Sequence, residues 1–519
     1  MLRAVPRHNQ EAKEPADKIV QLGDLAAIRE RHGRERIVQC HGVFDLLHPG
    51  HIAYFESAKK HGDVLVVTVT ADRYVNKGPR HPHFPASVRA KVLSSLEVVD
   101  YVCVSDFPTA VQTIQGLKPD FYAKGPDYQD KASDKTGGIL LEEQAVRKHG
   151  GKLVFTHDEV YSSSKLLHQY LGIWSEDQNA AIETVKKAGG IEEIERVLAR
   201  IAAERVLVVG EPIVDTYVFC DPQAISSKSP SVSAKFVLRE NYAGGSLAIA
   251  NHLCDFVDKV TLITTHGGED YFKALIKDSL DPRITIRAVE LEGVPTPQKT
   301  RFLTRATNQH LFEITNIRYD QWGQFPSEDF SDLLLRARKK ASTTLVADFG
   351  HGLLEGPVLS ALELLSGFVA LNVQTNSSNL GFNPFTKHKN YSYLSADARE
   401  VQLAFHDRFT APVELARRIR REREGVSVAL TLGPEGSYYF PARDTAEHRV
   451  PAFSDGIIDT TGAGDAFFAI TSMLARVGCP DVMVAFIGNV FAGLKTKIIG
   501  NKKAVPKGHL MKALATILK

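Results

Sequence analysis

The sequence predicts an α/β protein built from two doubly wound parallel-sheet domains. Three observations predict it. Short runs of β-branched and aliphatic residues alternate with segments of helical spacing, the pattern of parallel strands covered by helices on both faces. The alternation occurs twice, separated by a charged stretch with a Gly-Gly break. And 519 residues exceed what one ordinary core encloses. The expected boundaries are an N-terminal extension over 1–30, a first domain over 31–172, a linker with a helix leading onward over 173–203, and a second domain over 204–519.

In the first domain "RIVQC" reads as a short apolar strand, followed by a glycine turn and a helix pattern in "HIAYFESAKKHGD". "DVLVVTVT" and "DYVCVS" are strand-like, with "SVRAKVLSSLEVV" a helix between them. The second domain restarts with "RVLVVGEPIVD" and continues through "KVTLITTHGG", "TTLVADFGHG" and "VSVALTLGPEGSYYF", strands of the buried type. Around "FLTRATNQHLFEIT" apolar and polar residues alternate, which predicts a small separate sheet acting as a lid.

Composition narrows the function classes. With 43% hydrophobic and 24% charged residues and a net charge of +2, the chain reads as soluble, with no nucleic-acid or membrane partner expected. Five cysteines without a C-x-x-C pair argue against a disulfide framework or a cysteine zinc site and fit a reducing cytoplasm. The first eighteen residues lack the apolar core of a secretory signal, and no apolar run is long enough for a spanning helix.

"HGVFDLLHPGH", residues 41–51, concentrates three histidines and an aspartate. His48 and His51 could share a metal, but tetrahedral zinc takes three or four protein ligands and no H-E-x-x-H pattern exists. A surface helix start with incidental histidines is the bland reading. Position favours a third. Pro49 and Gly50 stand where a helix begins after a strand and a glycine turn, and a helix N-terminus is a ready anion site. Imidazoles beside it add donors where charge develops on a transferring phosphate.

"GVFDLLHPGH" resembles the H-x-G-H signature of the cytidylyltransferase-like nucleotidyltransferases. "VVTVTADRYVNKGPRHP" followed by Arg89, "VDYVCVSD", "KPDFYAKGPDY" and "YSSSKLL" follow in that family's order. "PDFYAKGPDY" is most similar to the adenylyltransferase half of the bifunctional heptose kinase/adenylyltransferases of lipopolysaccharide biosynthesis. The resemblance implies a Rossmann-like domain in which a sugar or alcohol phosphate attacks the α-phosphate of a nucleoside triphosphate and pyrophosphate leaves. It makes His48 and His51 the catalytic donors, with His41 a bystander. It also puts Gly42, Phe44, Lys77, Arg89, Lys124, Gly125, Ser162, Ser163 and Ser164 at the nucleotide, Mg²⁺ on the triphosphate, and no metal ion held by the protein itself. A solvated basic face competes for Lys77 and Arg89, and a helix N-cap cluster for the serines.

"DTTGAGDAFFA", residues 459–469, is the most specific string in the chain. Gly462, Ala463 and Gly464 are small enough for their backbone N–H groups to approach a phosphate, and Asp465 follows at a helix start. "GEPIVD", "YAGGSLAIAN", "KTRFLTR", "LTLGPEGS" and "GNVFAG" occur in the order of the ribokinase-like (PfkB) carbohydrate kinases, which the region from 204 onward resembles. The resemblance makes Asp465 the base and residues 462–464 an anion hole. Glu400, Thr431, Gly433, Gly436 and Asn489 would face ATP, and Asp215, Gly244 and Gly245 the sugar. The chain departs from that pattern at Ala248, where asparagine is usual, with Asn251 three positions on. It departs again at His351, where heptose kinases carry lysine, at "NVQTNSS" for Asp-Pro-Lys, and at Asp397 for asparagine.

Together the resemblances imply a bifunctional transferase that phosphorylates a sugar or sugar phosphate and then makes a nucleotide-activated, ADP-heptose-like sugar for surface polysaccharide. The domain order is reversed relative to the heptose enzymes. The alternative is an active nucleotidyltransferase, using ATP or CTP and including glycerol-phosphate-type acceptors, fused to a degenerate nucleotide- or sugar-binding kinase-like domain. The identity of the sugar, the choice of ATP or CTP, and self-association into a homo-oligomer stay open.

Overall fold

The computed structural model describes residues 14–75, 81–125, 138–156, 174–225, 232–318, 326–376, 379–443 and 445–519. The chain divides between Ile173 and Trp174 into two compact units. The expected Lys77, Ser162, Ser163 and Ser164 lie outside the described residues.

The first unit holds a six-stranded sheet of β1 (Ile19–Val20), β2 (Ile37–Gly42), β3 (Val64–Thr70), β4 (Tyr101–Ser105), β5 (Phe121–Lys124) and β6 (Lys152–Phe155). Its order is β1-β4-β3-β2-β5-β6 and every pair is parallel. All seven residues of β3 are buried, because helices cover both faces. Leu65, Val67 and Val69 pack with Phe55 and Leu93 on one face. Val64 and Val66 pack with Leu25, Ile28 and Leu117 on the other, the period-2 division of a pleated strand. From β2 the chain winds outward to β3 and β4, then returns to the opposite side for β5 and β6. That reversal opens a crevice at the carboxyl ends of β2 and β5.

The second unit has a nine-stranded sheet, ordered β11-β10-β7-β14-β15-β16-β17-β18-β19. Its strands are β7 (Arg205–Gly210), β10 (Lys259–His266), β11 (Thr285–Glu290), β14 (Thr343–Asp348), β15 (Phe368–Val373), β16 (Tyr393–Asp397), β17 (Ser427–Thr431), β18 (Ser437–Phe440) and β19 (His448–Val450). The first seven strands in that order pair in parallel. The last two turn antiparallel, so "VSVALTLGPEGSYYF" is a hairpin and not part of a uniformly parallel sheet. Gly433 (φ 58°) and Gly436 (φ 98°) supply the left-handed backbone of that reversal.

A second, four-stranded sheet is ordered β13-β12-β8-β9, from β8 (Pro212–Ile225), β9 (Val232–Gly245), β12 (Gln298–Thr304) and β13 (His310–Asn316). The expected lid corresponds to β12 and β13. The two 14-residue strands β8 and β9 extend it beyond what the alternation indicated. Tyr217, Phe219, Tyr242 and Leu303 form its apolar base.

The stretch expected to link the domains belongs to the second unit. Helices Glu176–Lys187 and Gly190–Ile201 bury Ile182, Val185, Ile194, Val197, Leu198 and Ile201. Trp174 packs edge-on against Phe453 at 5.5 Å, and the Gln178 amide donates to the Ala452 carbonyl at 2.8 Å. The charges that suggested a linker occupy only the outer faces of two amphipathic helices. An Ile194→Ala substitution in the full chain is therefore expected to destabilise the second unit by about 2–5 kcal/mol, the cost of a buried cavity, measured by denaturant unfolding. A solvated linker position would shift stability by no more than ~0.5 kcal/mol.

Candidate functional site

In the first unit the end of β2 and the following helix build the site. Helix Pro49–Lys59 starts with Pro49 at its first position and His48 as N-cap in extended geometry. The His48 and His51 rings lie face to face, with centroids 3.9 Å apart and planes inclined by 32°. Phe44, in left-handed backbone (φ 49°), sets its ring edge-on to His51 at 5.7 Å. A Cβ on Gly42 would come within 3.0 Å of that ring, so Gly42 makes room for Phe44 to fold back over the strand end. His41 is bonded to Thr68 at 2.9 Å, and burial, with the Lys124 charge, pushes it down to about 4. It is an internal neutral imidazole.

Two expected phosphate contacts, Arg89 and Lys124, have partners within the protein. Arg89 is completely buried. Its guanidinium donates to the carbonyls of Val43, Phe84 (2.8 Å) and Thr70 (2.9 Å) and pairs with Asp72 at 2.5 Å. It clamps the loop after β2 to the loop before helix Ala86–Ser94. Lys124, at the end of β5, pairs with buried Glu142 at 3.0 Å and lies over the Tyr122 ring. Burial would raise Glu142, but the Lys124 charge holds it low. Gly125 faces open space beyond the strand end.

Asp45 is the feature that sequence reading left without a role. Its carboxylate accepts the main-chain N–H groups of His83 (2.8 Å) and Phe84 (3.0 Å) and faces the Nδ1 atoms of His83 (2.8 Å) and His81 (3.4 Å). Burial pushes its pKa up, yet these hydrogen bonds win and hold it far below the usual carboxylate range.

In the second unit Gly462 (φ 77°) caps helix Ala463–Arg476, and Asp465 sits in its first turn. A side chain on Gly462 would meet Asn501 Oδ1 at 2.4 Å, so this close turn requires glycine. Asp465 is buried, and burial with the nearby Asp215 charge lifts its pKa to about 6, against Gln374, which donates to its Oδ1 at 2.5 Å. Asp215 lies on β8 opposite the Gly244–Gly245 end of β9. A Cβ on Gly244 would stand 2.1 Å from Asp215 Oδ2. Asp215 pairs with Arg301 at 2.6 Å and accepts from the Asn501 amide at 3.2 Å.

Lys299 and Arg301, two apart on β12, were not singled out within "KTRFLTR". Burial depresses the Lys299 pKa despite the opposing pull of Asp215. Gln374, Asn501, Tyr217 and Lys495 were missed as well. The Lys495 ammonium donates to the carbonyls of Thr461 and Gly500, both at 2.7 Å, and burial lowers it to about 8. His351 is buried and, through burial and the Lys299 charge, neutral, with its pKa pushed down to about 3.

Beside the residues expected to face ATP, an open cleft of about 490 Å³ is lined by Asp397, Arg399, Thr431, Leu432, Gly433 and Tyr438. Glu400 is buried behind it, accepting the N–H groups of Asp397 (2.8 Å) and Thr375 (3.2 Å), and burial with the Asp397 charge raises it to about 8. Gly436 and Asn489 have structural work. A Cβ on Gly436 would strike the Val450 carbonyl at 2.1 Å, and the Asn489 amide donates to the carbonyls of Val450 and Pro451. Both fix the end of β19 and are not among the residues lining the cleft.

Residues 40–169 match the cytidylyltransferase-like family and residues 391–506 the pfkB family carbohydrate kinases. The bifunctional protein HldE of Methylobacillus flagellatus is 40% identical over 149 residues, 28% of this chain and 29% of the relative. That of Helicobacter pylori strain G27 is 38% identical over 154 residues, 29% of this chain and 31% of the relative. The chain thus spans about three tenths of the length of these curated relatives. Ribokinase of Arabidopsis thaliana complexed with ribose and ATP is similar at 19% identity, covering 61% of this chain and 99% of that one, with a TM-score of 0.46. Among the described residues, no helix is long and apolar enough to cross a membrane.

Arg89→Ala would strip charged donors from three carbonyls, that of Thr70 fully buried, and is expected to destabilise the first unit by about 3 kcal/mol in denaturant unfolding. The Asp465 pKa near 6 has two consequences. Proton abstraction needs the carboxylate, so any phosphoryl transfer should fall as pH drops through about 6, read as kcat/KM against pH. Because the folded-state pKa is raised above the unfolded value of about 4, stability is lost as pH rises through that window. Asp465→Asn should therefore raise the Tm of the second unit at pH 8 and flatten its dependence on pH between about 4 and 6.

Proposed function

We propose that the chain is a bifunctional transferase, with a nucleotidyltransferase site in the first unit and a carbohydrate kinase site in the second. The observation that carries the reading is Asp465: a buried carboxyl, poised near pH 6, at the start of a helix entered through a glycine turn. In the kinase reaction the acceptor hydroxyl gives its proton to Asp465 Oδ2, since Oδ1 is engaged by Gln374, and its oxygen attacks the γ-phosphate of ATP. The N–H groups of the 462–464 turn take up the developing phosphate charge. Asp215, with Gly244 and Gly245, faces the sugar, and Lys299 and Arg301 supply positive charge there.

In the first unit a phosphate oxygen of the sugar phosphate attacks the α-phosphate of the nucleoside triphosphate and pyrophosphate leaves. His48 and His51 donate to the charged transition state beside the start of helix Pro49–Lys59. Catalysis is alignment and charge stabilisation, with no covalent enzyme intermediate. Mg²⁺ needs only one or two carboxylates besides phosphates and water. In the second unit exposed Asp397, which lines the cleft, fits that requirement, and the ion would neutralise phosphate charge.

The matched families and the bifunctional relatives support a product of the nucleotide-activated sugar class, with an ADP-heptose-like precursor as the specific reading. In this chain the cytidylyltransferase-like match at 40–169 precedes the pfkB match at 391–506. A second reading, a weakened kinase-like domain, is favoured by the Gln374 amide held on Asp465 and by the neutral His351.

The test is mass spectrometry of products from ATP or CTP incubated with a panel of heptose and hexose phosphates. Asp465→Asn is expected to abolish ATP-dependent phosphorylation and keep nucleotidyl transfer to a supplied sugar 1-phosphate, with His48→Asn giving the reverse. A wild-type chain that transfers a nucleotidyl group but phosphorylates no sugar establishes the second reading.

A further inference from the structure

Asp45, His81 and His83 come from two loops, the turn after β2 and the approach to helix Ala86–Ser94. Their side chains are 2%, 4% and 18% exposed. One ligand atom from each lies within 4.8 Å of the other two. Asp45 Oδ2 is 2.8 Å from His83 Nδ1 and 3.4 Å from His81 Nδ1. Around a four-coordinate ion with bonds of about 2.0–2.1 Å, tetrahedral geometry puts ligand atoms about 3.3 Å apart, which the 2.8 and 3.4 Å spacings from Asp45 approach.

The hydrogen bonding points the same way. Oδ2 also shares the main-chain N–H of His83 with Oδ1, at 2.8 Å from each, so three nitrogens crowd one oxygen while Oδ1 takes the Phe84 N–H as well. A carboxylate oxygen offers about two lone-pair sites. An ion taking the two imidazole nitrogens as ligands removes that excess. The scaffold is rigid besides, because buried Arg89 ties the Val43 and Phe84 carbonyls of these two loops together.

We propose that Asp45, His81 and His83 bind a divalent transition-metal ion of the zinc class, with one coordination position open to water or a ligand oxygen. Two imidazoles and one carboxylate suit zinc, cobalt or iron better than magnesium, which prefers all-oxygen sites. Three protein ligands leave the fourth position exchangeable, where a structural site closes with four.

The experiment uses the full chain, stripped with a chelator and dialysed, titrated with Co²⁺ in excess Mg²⁺ and without nucleotide. Expected is uptake of one Co²⁺ per chain with the visible bands of a four- or five-coordinate site, displaced by Zn²⁺. His83→Gln and His81→Gln should each weaken binding by about 100-fold or more, since even outer-shell changes cost about 10–100-fold. These variants leave the Asp45 bonds to the backbone in place, and circular dichroism checks their fold. Failure of the wild-type chain to take up either ion overturns the proposal, as does uptake that both variants retain unchanged. Binding is read without nucleotide, so the outcome is independent of nucleotidyl transfer.

Discussion

A parallel sheet covered on both faces has no free surface for chemistry except at its strand ends, and both units are organised by that constraint. At the carboxyl end of β2 the chain leaves the sheet at Gly42, folds Phe44 back over the strand and starts a helix at Pro49. At the corresponding edge of the larger sheet, β14, β15 and β16 run out into Asp348, Gln374 and Asp397. Helix N-termini collect at the same edges because each crossover helix must return antiparallel to its strands. Polar groups are thereby gathered where burial shifts their ionisation.

Within the second unit, Asp459 does the joining. It accepts from the Tyr217 hydroxyl (2.8 Å), the Gly500 N–H (2.7 Å) and the Thr461 N–H (2.9 Å). One carboxylate thus connects the lid strand β8, the turn ahead of Asp465 and the loop after helix Asp481–Lys495. Lys495 completes the connection from the other side through the Thr461 and Gly500 carbonyls. The acidic side chains Asp215, Asp459 and Asp465 are held together against their mutual repulsion by Arg301, Lys299 and Lys495. Burial, with the Asp215 charge, still leaves Asp465 easier to protonate than an ordinary aspartate, against the pull of Lys495 and Lys299.

Some elements were legible because a short string carries its own geometry. The strand "VLVVTVT" is short and almost wholly β-branched, which marks a buried central strand over a helix. "DTTGAGDAFFA" announces a left-handed glycine before a helix, and the helix begins at Ala463. The hairpin at Gly433 to Gly436 was misread because the residues on either side are equally apolar whether the next strand pairs parallel or antiparallel. At 176–201 the expected helix is present, but the charges that suggested a linker lie outside a buried stripe that groups both helices with the second unit.

The sequence by itself determined the α/β alternation, the two helix starts at Pro49 and Ala463, and the clustering of His48 with His51. Each depends on residues within one or two turns of each other, where backbone geometry leaves little choice. Tertiary structure decided what Arg89, Lys124, Gly436 and Asn489 do. A cation or an amide in the sequence is the same symbol whether it meets a ligand or a buried carbonyl. It also decided the partnerships of Gln374 with Asp465, 91 residues apart, and of Asp45 with His83, 38 residues apart. These contacts exist only because separate strands end at one edge, and nothing in local propensity or spacing encodes which ends will meet.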